Sequence, residues 1–278
     1  MERSLHLGVL DGPVLIFGGP YSNLEATKAV LAQAEKLGVP RERTICTGDV
    51  VAYCAAPLEC VEIIADAKLP VVMGNCEQSL GAGLDDCGCG FDPGGTCDRL
   101  AADWYSYAAD QLDQSALGWM RDLPTRITFD LGGRRLAVVH GAPSEINRFI
   151  FASTDQRDKR REIDTTGCGG VVCGHSGLPF TQLIEGRLWH NAGVIGLPAN
   201  DGTPRTWFSL LTPGSDGLTI EHRALDYAAP AAAAAMRAVG LPEEYAQALE
   251  TGLWDNCEIL PAGETAERGI PLAPAPVL

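Results

Sequence analysis

The sequence predicts a layered α/β fold, and three observations carry that prediction. Short apolar runs end in glycine followed by a polar residue, segments of helical period separate them in the first half, and closely spaced strands fill the second half. Strands alternating with helices of this length indicate βαβ units.

Taken in order, Val14-Leu15-Ile16-Phe17 is a buried strand that ends in Gly18-Gly19-Pro20. Ser22 or Asn23 caps the helix that follows, with Leu24, Val30, Leu31 and Ala34 as its apolar stripe and Thr27 as the weak position. Thr44-Ile45-Cys46 is a second strand, Pro57 to Ala65 a helix, and Pro70 to Met73 a third strand that ends at Gly74-Asn75. Residues 81–97 hold six Gly, three Cys, three Asp and a Pro, so an irregular insertion is expected there. Asp98 to Met120 reads as one helix, with Leu100, Trp104, Tyr107, Ala108 and Leu112 in register. Strands are expected at 127–131, 136–140, 170–173, 180–184, 187–190 and 206–211, separated by turns such as Gly132-Gly133 and Glu185-Gly186. The division is a domain over 1–225 and an Ala-rich helical extension over 226–278, helical at 227–240 and 242–249. Its tail from Ile270 is too rich in proline for helix.

Composition narrows the function. The formal charge is −15 with no long run of Lys or Arg, which disfavours nucleic-acid phosphates but leaves room for a small phosphorylated ligand on a metal. No window is apolar for long enough to span a membrane. The start, Met1-Glu2-Arg3-Ser4, lacks a secretory pattern, so a cytoplasmic location is expected. Ten cysteines in a reducing compartment suggest buried thiols, metal ligands or redox chemistry.

Polar residues recur just past strand ends: Asp49 after Gly48, Asn75 after Gly74, His140 before Gly141, and His175 after Gly174. Ligands collect beyond the carboxyl ends of strands in such folds. One carboxylate, one amide oxygen and two imidazoles suit Zn, Mn or Fe. Cys87 and Cys89, with Cys97 and with or without Cys54, could hold zinc or an iron–sulfur cluster; a reduced loop or a disulfide staple is the plainer reading. Cys46, Cys60, Cys168, Cys173 and Cys257 read as core or incidental thiols. His190 is expected to be structural, and His6 and His222 solvated. Arg148 and Arg205 could reach a phosphate, though ion pairing is their ordinary fate.

In order, Gly48-Asp49-Val50-Val51-Ala52-Tyr53, Gly74-Asn75-Cys76-Glu77, Val139-His140-Gly141-Ala142-Pro143 and Gly174-His175-Ser176-Gly177 resemble the blocks of the calcineurin-like metallophosphoesterases, with the YfcE-like branch the nearest. Ser22-Asn23-Leu24-Glu25-Ala26 and Asn191-Ala192-Gly193-Val194-Ile195-Gly196-Leu197-Pro198 extend the resemblance, which spans about 12–212. It implies two β-sheets sandwiched between helices, and two metals that clamp a phosphate. The second metal would take Asp49, Asn75, His140 and His175. The first would keep only Asp49, because its other three positions fall on Gly19, Tyr21 and Gly177. Cys76 stands where the family places a histidine that assists the leaving group.

The expected function is therefore an atypical phosphoesterase of a phosphate mono- or diester with a single or remodelled metal centre, Asp49, Cys76 and His140 being the catalytic candidates. The alternative is a non-catalytic relative that binds a ligand, a metal or a cluster. The sequence is silent on oligomeric state.

Overall fold

The computed structural model describes residues 3–215 and 217–277. Met1 and Glu2 of the start, and Leu278 of the tail, lie outside the described residues. The chain runs β1 (Ser4–Val9), β2 (Val14–Phe17), α1 (Leu24–Lys36), β3 (Thr44–Cys46), α2 (Pro57–Asp66), α3 (Asn75–Ala82), α4 (Thr96–Gln111), α5 (Gln114–Asp122), β4 (Arg126–Leu131) and β5 (Arg134–Val138). It continues with α6 (Gln156–Thr166), β6 (Gly170–Cys173), β7 (Phe180–Ile184), β8 (Arg187–Asn191), β9 (Thr206–Gly214), β10 (Gly217–Leu225), α7 (Ala229–Ala238), α8 (Glu243–Thr251) and α9 (Ala262–Ala266).

The strands form a six-stranded sheet, ordered β1-β4-β5-β6-β8-β7, and a four-stranded sheet, ordered β10-β9-β2-β3. The apolar run of β2 is continuous because both of its faces are covered. Val14 and Ile16 turn toward the other sheet and join Ile127, Phe129, Val138 and Val172. Leu15 and Phe17 turn toward the helices and share a second core with Val30, Ile64, Trp104 and Met236. On the far side, Val171, Cys173 and Trp189 pack with Ile163 of α6. The result is two sheets face to face between layers of helix, as the sequence predicts. Each large side chain so buried contributes about 1.5–3 kcal/mol. Among the described residues no helix is long and apolar enough to cross a membrane.

Asn23, one of the two expected caps, begins α1, its Oδ1 accepting the Ala26 N–H at 3.1 Å. Several other elements differ from expectation. The expected third strand at 70–73 makes only an isolated bridge, between Val71 and Cys46. Pro70 has no N–H to extend the ladder. The single helix expected over 98–120 is α4 and α5, broken because Leu112 is extended and Asp113 caps α5 by accepting the Ala116 N–H. The irregular insertion is shorter than read, since α3 runs to Ala82 and α4 begins at Thr96. No element is expected from the sequence at β1, α3, α6, β10 or α9.

Candidate metal centre

The two sheets converge on one point through the loops at their strand ends. The β3 loop supplies Asp49, the first turn of α3 supplies Asn75, and the loops after β5 and β6 supply His140 and His175. All four side chains are buried, at 1–7% exposure. The Asp49 loop is strained, with φ +54° at Asp49 and +42° at Tyr53, and it is zipped to an equally strained loop with φ +53° at Tyr21 and +57° at Ser22. The zip is a pair of backbone bonds, from Tyr21 N–H to Asp49 C=O at 3.1 Å and from Ser22 N–H to Val50 C=O at 2.8 Å. Gly74 has to be glycine, because a Cβ there would lie 2.2 Å from Asp49 Oδ1.

His140 is the centre of the group. Its Nδ1 lies 2.7 Å from the Thr47 carbonyl, which can only accept, so Nδ1 carries a proton and donates. Its Nε2 lies 3.2 Å from Asp49 Oδ2, 3.0 Å from Asn75 Oδ1 and 3.0 Å from His175 Nδ1. The amide of Asn75 is oriented, since its Nδ2 donates to the Cys87 carbonyl at 2.9 Å. An imidazole nitrogen has one proton or one lone pair, so it satisfies only one of these three neighbours. The remaining contacts bring acceptor against acceptor in a buried site, which is costly. A cation that receives all of these lone pairs removes the conflict. Asp49, His140 and His175 have ligand atoms within 4.8 Å of one another. The donor set therefore fits a divalent ion of borderline hardness, with Asn75 as the fourth ligand.

The charges of the cluster are strongly interdependent. Burial pushes the Asp49 carboxyl up, but the His140 and His175 rings and the Cys76 N–H together hold it below its ordinary value. Burial depresses His140, but the Asp49 carboxylate, the Thr47 carbonyl and the Glu77 charge together raise it above its ordinary value. His175 is depressed to about 3, first by burial and then by the His140 ring.

The positions that would hold a first metal are filled differently. A Cβ on Gly19 would meet Tyr21 Cζ at 2.6 Å and Val194 Cγ1 at 2.8 Å, so the Tyr21 ring occupies the space an aspartate side chain would need. Gly177 has φ +74°, and a Cβ there would face Trp254 at 3.8 Å. Tyr21 packs edge-on against Tyr53, with centroids 4.8 Å apart.

Other candidates scatter. Cys76 is buried beside Asp49, its N–H donating to Asp49 Oδ1 at 3.2 Å, and burial with the Asp49 and Glu77 charges raises its thiol well above the ordinary value. Cys87 and Cys89 are joined by a disulfide, and Cys97 bonds Asn256 Oδ1, so the three thiols do not converge as a ligand set. A zinc or iron–sulfur site gains no support from that arrangement. Cys54 bonds the Gly196 carbonyl rather than joining those cysteines. Arg148 pairs with Glu162, and Arg205 bonds the Leu272 carbonyl and stacks on Trp207, so neither reaches the site. His190 is fully buried as expected, but His222 is not solvated: it stacks on His190 and lies between Thr181 and Ser209. The residue that sequence reasoning missed is Glu77. It is fully buried and accepts N–H bonds from Asp49, Gly74 and Val51. Burial and the Asp49 charge raise it to about 7.

Two face-packed sheets with a buried Asp/Asn/His/His cluster at their strand ends define the metallophosphoesterase class of fold. The profile of the calcineurin-like phosphoesterase superfamily domain matches residues 14–212, so the chain belongs to that superfamily. An uncharacterised protein of Methanocaldococcus jannaschii, MJ0912, is 26% identical over 205 residues, covering 73% of this chain and 76% of its own length. The crystal structure of a metallophosphoesterase from Sphaerobacter thermophilus superposes with a TM-score of 0.69 at 25% identity, over 87% of this chain and 99% of the other. The hypothetical protein PH1004 from Pyrococcus horikoshii superposes at 0.71 with 17% identity, over 87% and 99% of the two chains, a likeness of fold.

Proposed function

We propose that the chain is a phosphoesterase that hydrolyses a phosphate mono- or diester with one divalent metal held by Asp49, Asn75, His140 and His175. The observation that carries this reading is the conflict of lone pairs at His140 Nε2, together with a first-metal position filled by the Tyr21 ring. Bound there, a divalent ion supplies Lewis acidity toward a phosphoryl oxygen and lowers the pKa of a bound water. The chain's own residues do the positioning. Thr47 fixes the tautomer of His140, and Cys87 orients the amide of Asn75. Glu77 holds the loop that carries Asp49. Tyr21, whose hydroxyl stays neutral because burial and the Asp49 charge raise it, closes the site against a second ion.

Metal analysis of the purified protein together with hydrolysis of bis-p-nitrophenyl phosphate tests this. About one metal per chain and activity lost in Asp49→Asn are expected. Metal-loaded protein that hydrolyses neither mono- nor diesters, with no change in Asp49→Asn, would overturn it. That outcome would favour the second reading, a non-catalytic binder, for which the loss of three first-metal ligands speaks. Iron accompanied by labile sulfide in anaerobically purified protein would instead mark a cluster at the cysteines.

A further inference from the structure

The phosphoesterase reading leaves open the organic half of the substrate, and a cavity beside the metal centre speaks to it. The cavity runs from Asp49 and His175 outward to the segment after α8. Tyr21, Tyr53, Phe149, Tyr245 and Trp254 line it. The Tyr53 centroid is 4.8 Å from those of both Tyr21 and Tyr245, so the rings brace one another. Trp254 is pinned at both ends, its Nε1–H donating to the Pro198 carbonyl at 2.8 Å and its backbone N–H to Asn200 Oδ1 at 2.9 Å. A ligand meets these rings already in place, which spares the entropy of ordering them.

The charges of the lining are one-sided. It contains no Lys or Arg, while Asp49 lies at its inner end and Glu244 and Asp255 on the α8 side. Among the described residues neither Glu244 nor Asp255 forms an ion pair, whereas the nearby Glu243 and Glu250 are both held by Arg237. Aromatic faces add the negative end of their quadrupoles. Such a pocket repels a second phosphate or a nucleotide tail and attracts a cation. His175 lines the cavity with Asp49, so the cavity opens directly onto the candidate metal centre. Glu244, Tyr245, Trp254 and Asp255 all lie beyond residue 212, where the superfamily match ends.

We infer that this cavity binds the cationic group of a phosphate ester of an amino or quaternary ammonium alcohol, with the phosphate toward Asp49 and His175. The inference rests on the phosphoesterase reading. In the reaction a water oxygen bonds to phosphorus, the ester P–O bond breaks, and the alcohol leaves with a proton from that water.

The test compares phosphocholine with 3,3-dimethylbutyl phosphate, which has the same shape with carbon in place of the charged nitrogen. The metal-loaded full chain is expected to show a KM about tenfold lower for phosphocholine. Trp254→Ala and Glu244→Gln should each narrow that ratio, and the second, being isosteric, serves if the first folds poorly. Equal KM values for the two esters would overturn the cation pocket and leave the phosphoesterase reading standing. If neither ester is hydrolysed, calorimetric titration with tetramethylammonium chloride decides. Binding that is weakened in Glu244→Gln supports the pocket while the catalytic reading falls, and no binding overturns the pocket.

Discussion

Glu77 holds Asp49 in place: its Oε2 accepts the Asp49 backbone N–H at 2.8 Å. The same oxygen accepts the Gly74 N–H at 2.9 Å, and Oε1 accepts the Val51 N–H at 3.2 Å. Asn75 sits on the same first turn of α3, so one helix start supplies a candidate metal ligand and the clamp on another. The clamp matters because Asp49 sits at φ +54°, a conformation its own backbone does not favour.

Replacing Glu77 by Gln breaks this clamp with almost no change in shape. A carboxylate offers acceptors on both oxygens, whereas an amide turns an NH₂ toward one of the N–H groups. The buried donor left without a partner should cost about 1–3 kcal/mol in urea denaturation. Misplacing Asp49 should weaken metal binding by roughly 10–100-fold in a competitive titration. Wild-type metal affinity in Glu77→Gln would mean that the loop holds Asp49 unaided.

Gly19→Asp restores the residue type that the superfamily places there, yet it should not restore a second metal. Its Cβ would overlap Tyr21 and Val194, and φ +38° strains any residue other than glycine. A loss of about 1–3 kcal/mol is expected by thermal unfolding, with metal content still near one per chain. Two metals per chain in this variant would show that the Tyr21 ring moves aside readily.

The four candidate ligands were legible because each follows or precedes a glycine at a strand end, where only glycine lets the backbone come so close. Glu77 was not, since its partners at 49–51 are brought to it by folding and leave no local pattern. Helix α6 was hidden because only Lys159, Glu162 and Ile163 of its eleven residues are buried, too few for a stripe. Strand β1 lies at a sheet edge with Leu5 and Val9 exposed, so its alternation carries no signal. The aromatic cavity joins residues from Tyr21 to Trp254, a set with no shared spacing.

Lys159 of α6 gives the stability a pH dependence of definite sign. Its Nζ donates to the Ala152 carbonyl at 2.8 Å and to Gln182 Oε1 at 2.7 Å. Burial lowers its pKa to about 8, with Glu264 partly opposing. An unfolded lysine titrates near 10.4. Between those values the unfolded chain keeps a proton that the folded chain has released, so stability attributable to Lys159 rises with pH across that window. Urea denaturation at pH 7.5 and 10 should show wild type gaining relative to Lys159→Met. A constant difference between the two proteins would place the folded pKa near its ordinary value.

The extension after Leu225 should prove inseparable from the rest. Ala233, Met236, Leu241, Ala246 and Leu249 are buried in the same core as Phe17, Val30 and Ile64. Burying Met236, Leu241 and Leu249 alone is worth about 5–9 kcal/mol at 1.5–3 each, comparable with the whole stability of an ordinary domain. A chain ending at 225 would uncover the helix-side core, and Tyr53 would lose its contact with Tyr245. Ending at 269 instead removes little besides the bond from Leu272 N–H to Asp201 Oδ2, the bond from Arg205 to the Leu272 carbonyl, and the bridge between Val277 and Ile220. The 1–225 chain is therefore expected to be insoluble or to lack a cooperative thermal transition. The 1–269 chain should unfold cooperatively with a Tm lowered by several degrees. A 1–225 chain that melts cooperatively near the full-length temperature would show that α7 and α8 cover a core already closed without them.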